Sequence, residues 1–186
     1  MAFFVKLYDN SDNSIYNGII EENDALHFDV VGSIGDHGLF TQLDENGTPT
    51  TNFRYRIQGE KILFRTGVQT ENGDFILYGT MSTSNKNRNK NLVIRTNNRG
   101  DVLWAKTYTQ AKTRYNIHLV KSVKDTYFMS SWLNSAGTSD DVEIIKIDGS
   151  GNVLQAVNIV SNSDDQINKL VPFGDGVLVF GGTSAG

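Results

Sequence analysis

The chain contains no cysteine, only two prolines and three histidines. Without cysteine there are no disulfides, no thiolate metal sites and no thiol nucleophile, and the redox compartment stays open. No stretch approaches the roughly 20 consecutive apolar residues that a bilayer-crossing helix needs. The start, Met1-Ala-Phe-Phe-Val-Lys-Leu, lacks the basic region of a signal peptide. The expected location is therefore the cytoplasm, or the outside by a route without a cleaved signal. Long helices are missing too, since no window sustains an apolar stripe of period 3.6.

Glycine is plentiful, at 18 residues, and asparagine is scattered throughout. Both tolerate positive φ, which suits many tight hairpins. With 38% hydrophobic and 10% aromatic residues, the chain can bury an ordinary core. Its length fits one domain spanning residues 1–186.

Two landmarks recur. The first is an apolar strand, then a turn closed by glycine, then a second short strand. It reads Leu39-Phe-Thr-Gln-Leu-Asp-Glu-Asn-Gly47, Leu92-Val-Ile-Arg-Thr-Asn-Asn-Arg-Gly100 and Glu143-Ile-Ile-Lys-Ile-Asp-Gly-Ser-Gly151. A weaker copy, Phe3-Phe-Val-Lys-Leu-Tyr-Asp-Asn-Ser11, opens the chain. The second landmark is an apolar strand running into a small residue: Phe28–Gly32, Phe75–Gly79, Tyr127–Ser131 and Val177–Gly181. Successive copies lie 36, 53 and 51 residues apart in the first series and 47, 52 and 50 in the second. A period near 50 with several short strands per unit predicts an all-β fold, a small propeller of about four blades. Near-continuous apolar runs such as Phe75-Ile-Leu-Tyr78 fit strands covered on both faces.

The last second landmark has only five residues after it, while Phe3–Leu7 has no blade before it. Pairing the N-terminal strand into the last blade would close the ring and remove exposed edges. The alternative is a partial propeller completed by another chain. By the same spacing, Trp104 corresponds to Ile15, Thr51 and Gln155.

The stretch Asn91-Leu-Val-Ile-Arg-Thr-Asn-Asn-Arg-Gly-Asp-Val-Leu-Trp-Ala-Lys-Thr-Tyr108 resembles a group of bacterial β-propeller repeats. Their units run as an apolar strand with Lys-Leu-Asp, a glycine turn and then Trp-x-Lys-x-Tyr. Phe75–Gly79, preceded by Asn72-Gly73-Asp74, supplies the Gly-Asp-x strand of that unit. The resemblance implies a propeller fold. It says little of function, because such repeats are common in bacterial surface and secreted proteins without an assigned activity.

No catalytic constellation stands out. The histidines (His27, His37, His118) lack metal-ligand spacing, and Gly-x-Ser-x-Gly and phosphate-loop motifs are absent. The Asp-rich stretches around Asp9–Asp12, Asp148–Asn152 and Ser163–Asp165 read as turn chemistry, not as calcium loops. No metal or cofactor is expected. Charge is more informative: residues 86–124 carry ten Lys or Arg against Asp101 alone, so the remainder is strongly acidic. Lys86, Arg88, Lys90 and Arg114 are the candidate cationic contact residues, with Arg99 and Lys112 in neighbouring connections. The first expectation is a non-enzymatic interaction module, a monomer or small oligomer, that binds a protein partner or is packed as cargo in a larger bacterial assembly. A carbohydrate-binding propeller using Trp132, Tyr78 and Tyr55 is the alternative, and a channel-located hydrolase or lyase the third. Nucleic acid is disfavoured by the sequence pI near 5.3.

Overall fold

A computed structural model describes residues 14–24, 27–83, 89–111, 117–133, 141–161 and 164–184, and in them there are strands and turns but no helix. β1 (Ser14–Glu21), β2 (Phe28–Ile34), β3 (His37–Leu43) and β4 (Pro49–Tyr55) form the first sheet in chain order. β5 (Glu60–Gln69), β6 (Phe75–Thr83), β7 (Asn89–Thr96) and β8 (Val102–Ala111) form the second. β9 (Leu119–Lys121), β10 (Thr126–Leu133), β11 (Asp141–Asp148) and β12 (Val153–Ile159) form the third. β13 (Asp164–Phe173) and β14 (Gly176–Ser184) pair as a fourth, two-stranded sheet. Every pairing is antiparallel.

The first landmark falls on β3, β7 and β11 with their turns, and the second on β2, β6, β10 and β14. Pleating sends alternate side chains to opposite faces, and the sheets stack through three separate cores. Ile20, Val31 and Phe40 of the first sheet meet Phe64, Phe75 and Leu77 of the second. Ile76, Tyr78 and Val93 face the other way, onto Tyr127, Met129 and Ile145 of the third sheet. Phe128 and Ile144 then cover Ile167 and Leu170 of the fourth. The unbroken apolar run Phe75-Ile-Leu-Tyr78 thus serves two cores at once, which is why it does not alternate.

The small residue of the second landmark has a backbone cause. β1, β5 and β13 each carry a bulge, and the residue just before it (Tyr16, Phe64 or Ile167) lies opposite Gly32, Gly79 or Gly181. A Cβ on those glycines would overlap the carbonyl oxygens of Ile15, Leu63 and Gln166, respectively. A bulged strand that presses its backbone on a neighbour requires glycine there. In the third sheet the position is Ser131, and the first strand adapts: β9 pairs only with Tyr127–Met129 and stops short of it.

The glycine-closed turns share one design. Asp44, Asn97 and Asp148 each accept backbone N–H bonds from two and four residues on through Oδ1, at 2.7–3.0 Å. Gly47, Gly100 and Gly151 then take φ of 71°, 79° and 74°, where a side chain would be strained. Asp148 and Asn152 are therefore occupied in closing a turn.

One expected equivalence fails. Ile15 lies in β1, the first strand of its sheet, whereas Trp104, Thr51 and Gln155 lie in the fourth strands β8, β4 and β12. The interval from Ser11 to Gly32 is about ten residues shorter than its counterparts, so it holds one strand where the others hold two. The closing strand Phe3–Leu7 lies outside the described residues.

Candidate functional site

Antiparallel strands in chain order put their connections alternately at two ends of each sheet, and the two ends differ. At one end sit the turns closed by Gly47, Gly100 and Gly151, and side chains of each sheet bond to turns of the next. Tyr55 Oη donates to Gly100 O at 3.2 Å, Tyr108 Oη to Gly151 O at 2.8 Å and Trp104 Nε1 to Gly149 O at 3.0 Å. Gln42 Nε2 reaches Asn98 O at 3.4 Å, Arg95 Nη1 Gly149 O at 2.7 Å and Lys146 Nζ Asp175 O at 2.6 Å. This end is committed to holding sheets together.

At the other end, in the second and third sheets, residues 84–88, 112–116 and 134–140 join the strands. Topology brings the candidate residues there, but only in part do they fall within what is described. Lys90 is exposed at the start of β7. Trp132 stands in β10 opposite Val142, its backbone alone described. Lys86, Arg88, Lys112 and Arg114 lie outside the described residues. Arg99 does not join them, because its turn leaves β7 at the opposite end. Arg95 is buried, its guanidinium held by Asp74 at 3.0 Å and Asp125 at 3.3 Å. Among the described residues of the block, Lys90 and Arg99 thus stand at opposite ends of β7.

Beneath that end, between the second and third sheets, lies a polar cluster that the sequence did not reveal. Glu143 occupies the position held by Leu39 in β3 and Leu92 in β7, and it faces the second sheet. Its direct cross-strand partner is Ser131, itself the replacement for Gly32, Gly79 and Gly181. Asn91 of β7 reaches across the gap and donates through Nδ2 to Ser131 Oγ. Tyr78 Oη donates to Ser130 O at 2.7 Å, and burial, with Glu143 nearby, pushes the phenol well above its ordinary pKa. Asp141 precedes Glu143 by two residues and so projects to the same side of β11. Asn91 is 0% exposed, Asp141 2% and Glu143 7%. The Oδ1 atoms of Asn91 and Asp141 have no hydrogen-bond partner. Buried polar groups are nearly always paired, and such unpaired atoms also occur among the described residues at Asp29, Glu60, Thr96, Ser122 and Asp165. The misfit of Glu143 and Ser131 with the corresponding positions was the available signal.

Tyr55 and Tyr78 offer no sugar platform, since both rings are buried and both hydroxyls are spent on backbone carbonyls. Nor do the histidines converge. His27 Nδ1 pairs with Asp24 at 2.5 Å, His118 Nε2 lies 3.2 Å from Ile167 O, and His37 opens β3. Among the described residues no group of three or more His, Asp or Glu could hold a metal ion. No helix among them is long and apolar enough to cross a membrane.

The comparisons with known proteins speak to architecture. No family model matches the chain, and no curated protein does. A crystal structure of a protein of unknown function from Bacteroides caccae is similar in fold, with a TM-score of 0.50 at 14% identity. The match covers 86% of this chain and 52% of that one, so the chain spans about half the length of that structure. The likeness shows the fold alone.

A further buried carboxyl sits between the first and second sheets. Asp29 is fully buried; Oδ1 accepts from Leu43 N at 3.2 Å and Oδ2 has no partner. Burial, aided by Glu22, raises its pKa to about 7. A carboxyl that binds its proton more tightly folded than unfolded stabilises fully below its unfolded pKa, and that contribution is lost as pH rises to about 7. Asp29→Asn is therefore expected to gain stability over the native chain between pH 5 and pH 8 in urea titrations. A gap unchanged between those pH values would show that Asp29 does not carry the proton.

Proposed function

We propose that the four sheets are blades of a small β-propeller of the bacterial repeat type, and that the protein is a non-enzymatic interaction module. Its binding end is the one bearing residues 84–88, 112–116 and 134–140. The observation that carries this reading is the division of labour between the ends. Among the described residues, side-chain hydrogen bonds to the turn carbonyls of the next sheet lie at the end of the Gly47, Gly100 and Gly151 turns, while Ser131 and Glu143, which break the correspondence between sheets, lie toward the other end. Breaks in an otherwise consistent pattern are expected where function outweighs stability. A rigid stack presenting connections from several sheets is a general way to build a binding surface.

Ring completion follows from the same correspondence. The fourth sheet has counterparts of the first two strands of the others but none of the third among the described residues. Beside β14 a groove of about 370 Å³ opens between Phe128, Ile144, Val157 and Ile159 on one wall and Val177 and Val179 on the other. In the second and third sheets the third strand fills that place. Phe3–Leu7 carries the pattern that falls on β3, β7 and β11, and it is the strand we assign to the edge of β14. Light scattering distinguishes the donors: a monomer of 20.6 kDa fits a strand from the same chain, whereas a dimer or larger species fits exchange between copies.

The partner-binding end contributes Lys86, Arg88, Lys90 and Arg114 as positive charge, which suits an acidic protein surface. Retention on immobilised poly-glutamate is expected to fall with added salt, since exposed charges are screened within about 10 Å at 0.1 M. Replacing Lys86, Arg88 and Lys90 together by Glu should release the protein in the wash. Equal retention of that variant would reject this surface.

A further inference from the structure

We propose that β12 is an interface strand whose outer edge pairs antiparallel with β12 of a second copy of this chain, about a two-fold axis. The contact is separate from ring completion, because Phe3–Leu7 is assigned to the edge of β14. It is separate from the cationic end as well.

Three outer strands face the same hazard. β4, β8 and β12 each end a sheet, with no strand beyond them among the described residues. A sheet edge recruits other strands unless something blocks it, and proline or a charged side chain is the common block. β4 opens with Pro49 and carries Arg54. β8 carries Lys106 near its middle. β12 has neither. It reads Val153-Leu-Gln-Ala-Val-Asn-Ile159, and no charged residue occurs from Gly149 to Ser163.

β12 is also exposed along its whole length. Val157 and Ile159 line the groove beside β14, so the strand assigned there covers them. Val153, Leu154 and Val160 lie outside that groove and are 53%, 54% and 67% exposed. The edge therefore keeps an apolar surround when the ring is complete.

Charge identifies the occupant. A two-fold axis sets an antiparallel strand against its own sequence, so a charge near the middle comes to lie against its own copy. Like charges directly opposite destabilise a strand pair. Lys106 opposes that arrangement in β8, whereas β12 brings no charge to it in any register. Pairing joins the four-stranded third sheets of two copies into one sheet. A seven-residue edge buries less than a standard protein interface, so the dimer is expected to dissociate on dilution.

Sedimentation velocity over a wide range of concentration tests the contact. The parent should appear as a 20.6 kDa monomer in reversible equilibrium with a dimer. Ala156→Lys, at an exposed position in the middle of β12, should weaken the dimer about tenfold or more and leave the melting temperature unchanged. Ala156→Glu alone should do the same. An equal mixture of the two variants should regain the dimer, because opposite charges then face each other. Asn158→Lys takes the place of Ala156→Lys if circular dichroism shows that variant unfolded. Hydrogen exchange should show the β12 amides that do not bond to β11 gaining protection with concentration, while the edge amides of β8 do not. Exchange of Phe3–Leu7 between copies also gives a dimer, but one that Ala156→Lys leaves intact. A parent monomeric at every concentration would overturn the edge pairing while leaving the assignment of Phe3–Leu7 standing. A dimer indifferent to Ala156→Lys, or a mixture no more dimeric than its components, would overturn it equally.

Discussion

Gly79→Ala is expected to destabilise the protein by about 3 kcal/mol or more, a loss out of proportion to one methyl group. The added Cβ would overlap the Leu63 carbonyl oxygen and the Phe64 Cα, both backbone atoms of the bulged strand β5. A flexible side chain could swing away, but a hydrogen-bonded strand cannot move without carrying its core residues. Phe64 is wholly buried between the first two sheets, so shifting β5 disrupts that core as well as the ladder. Gly73→Ala supplies the comparison. Its φ of 84° strains any other residue, yet nothing lies within 4 Å of the new Cβ. That substitution should cost about 1 kcal/mol. Urea denaturation followed by circular dichroism measures both, and similar losses would refute the account of the bulge.

Arg95→Met should cost about 3 kcal/mol, from groups left without a partner more than from lost packing. The guanidinium joins Asp74 of the second sheet to Asp125 and the Gly149 carbonyl of the third. Asp125 is half exposed and water can replace its share, so Asp74 and Gly149 carry most of the effect. Arg95→Lys should recover little, because one ammonium cannot reproduce the fork that reaches four acceptors, on Asp74, Asp125, Gly149 and Asn72. Gln42 and Lys146, at the corresponding positions, each make a single such contact to the next sheet. Alanine there should cost under about 1 kcal/mol. Comparable losses at all three positions would mean that Arg95 has no special role.

These two residues show how far the amino-acid pattern could be read. Gly79 was visible as the small residue ending a strand, because its demand is local and imposed again on Gly32 and Gly181. The bulge that makes the demand was not visible, since a single extra residue such as Arg65 leaves no mark in an alternating strand. Arg95 was legible only as one of ten basic residues, and counting charges cannot tell a buried linker from an exposed loop. Ile15 was misassigned because a spacing rule finds the next strand without knowing which strand of the sheet it is. Glu143 and Ser131 were in plain view inside the landmarks. Their meaning required the register that sets them opposite each other and brings Asn91 across from the neighbouring sheet.

The exposed surface of the fourth sheet bears on the ring. Leu178 and Phe180 are 45% and 52% exposed on β14, and Phe173 is 70% exposed at the end of β13. Their counterparts in β6, Ile76 and Tyr78, are fully covered. Apolar side chains exposed on a sheet whose β14 edge is unpaired among the described residues favour the arrival of further chain there.

Backbone amide hydrogen exchange along β14, resolved by residue, tests this most directly. In a sheet edge only alternate amides bond to the neighbouring strand, while in an interior strand every amide is engaged. With a third strand in place, the amides of Leu178 through Gly182 should all exchange as slowly as those of Ile76 through Thr80 in β6. Rapid exchange at every second residue of β14, beside slow exchange throughout β6, would contradict it.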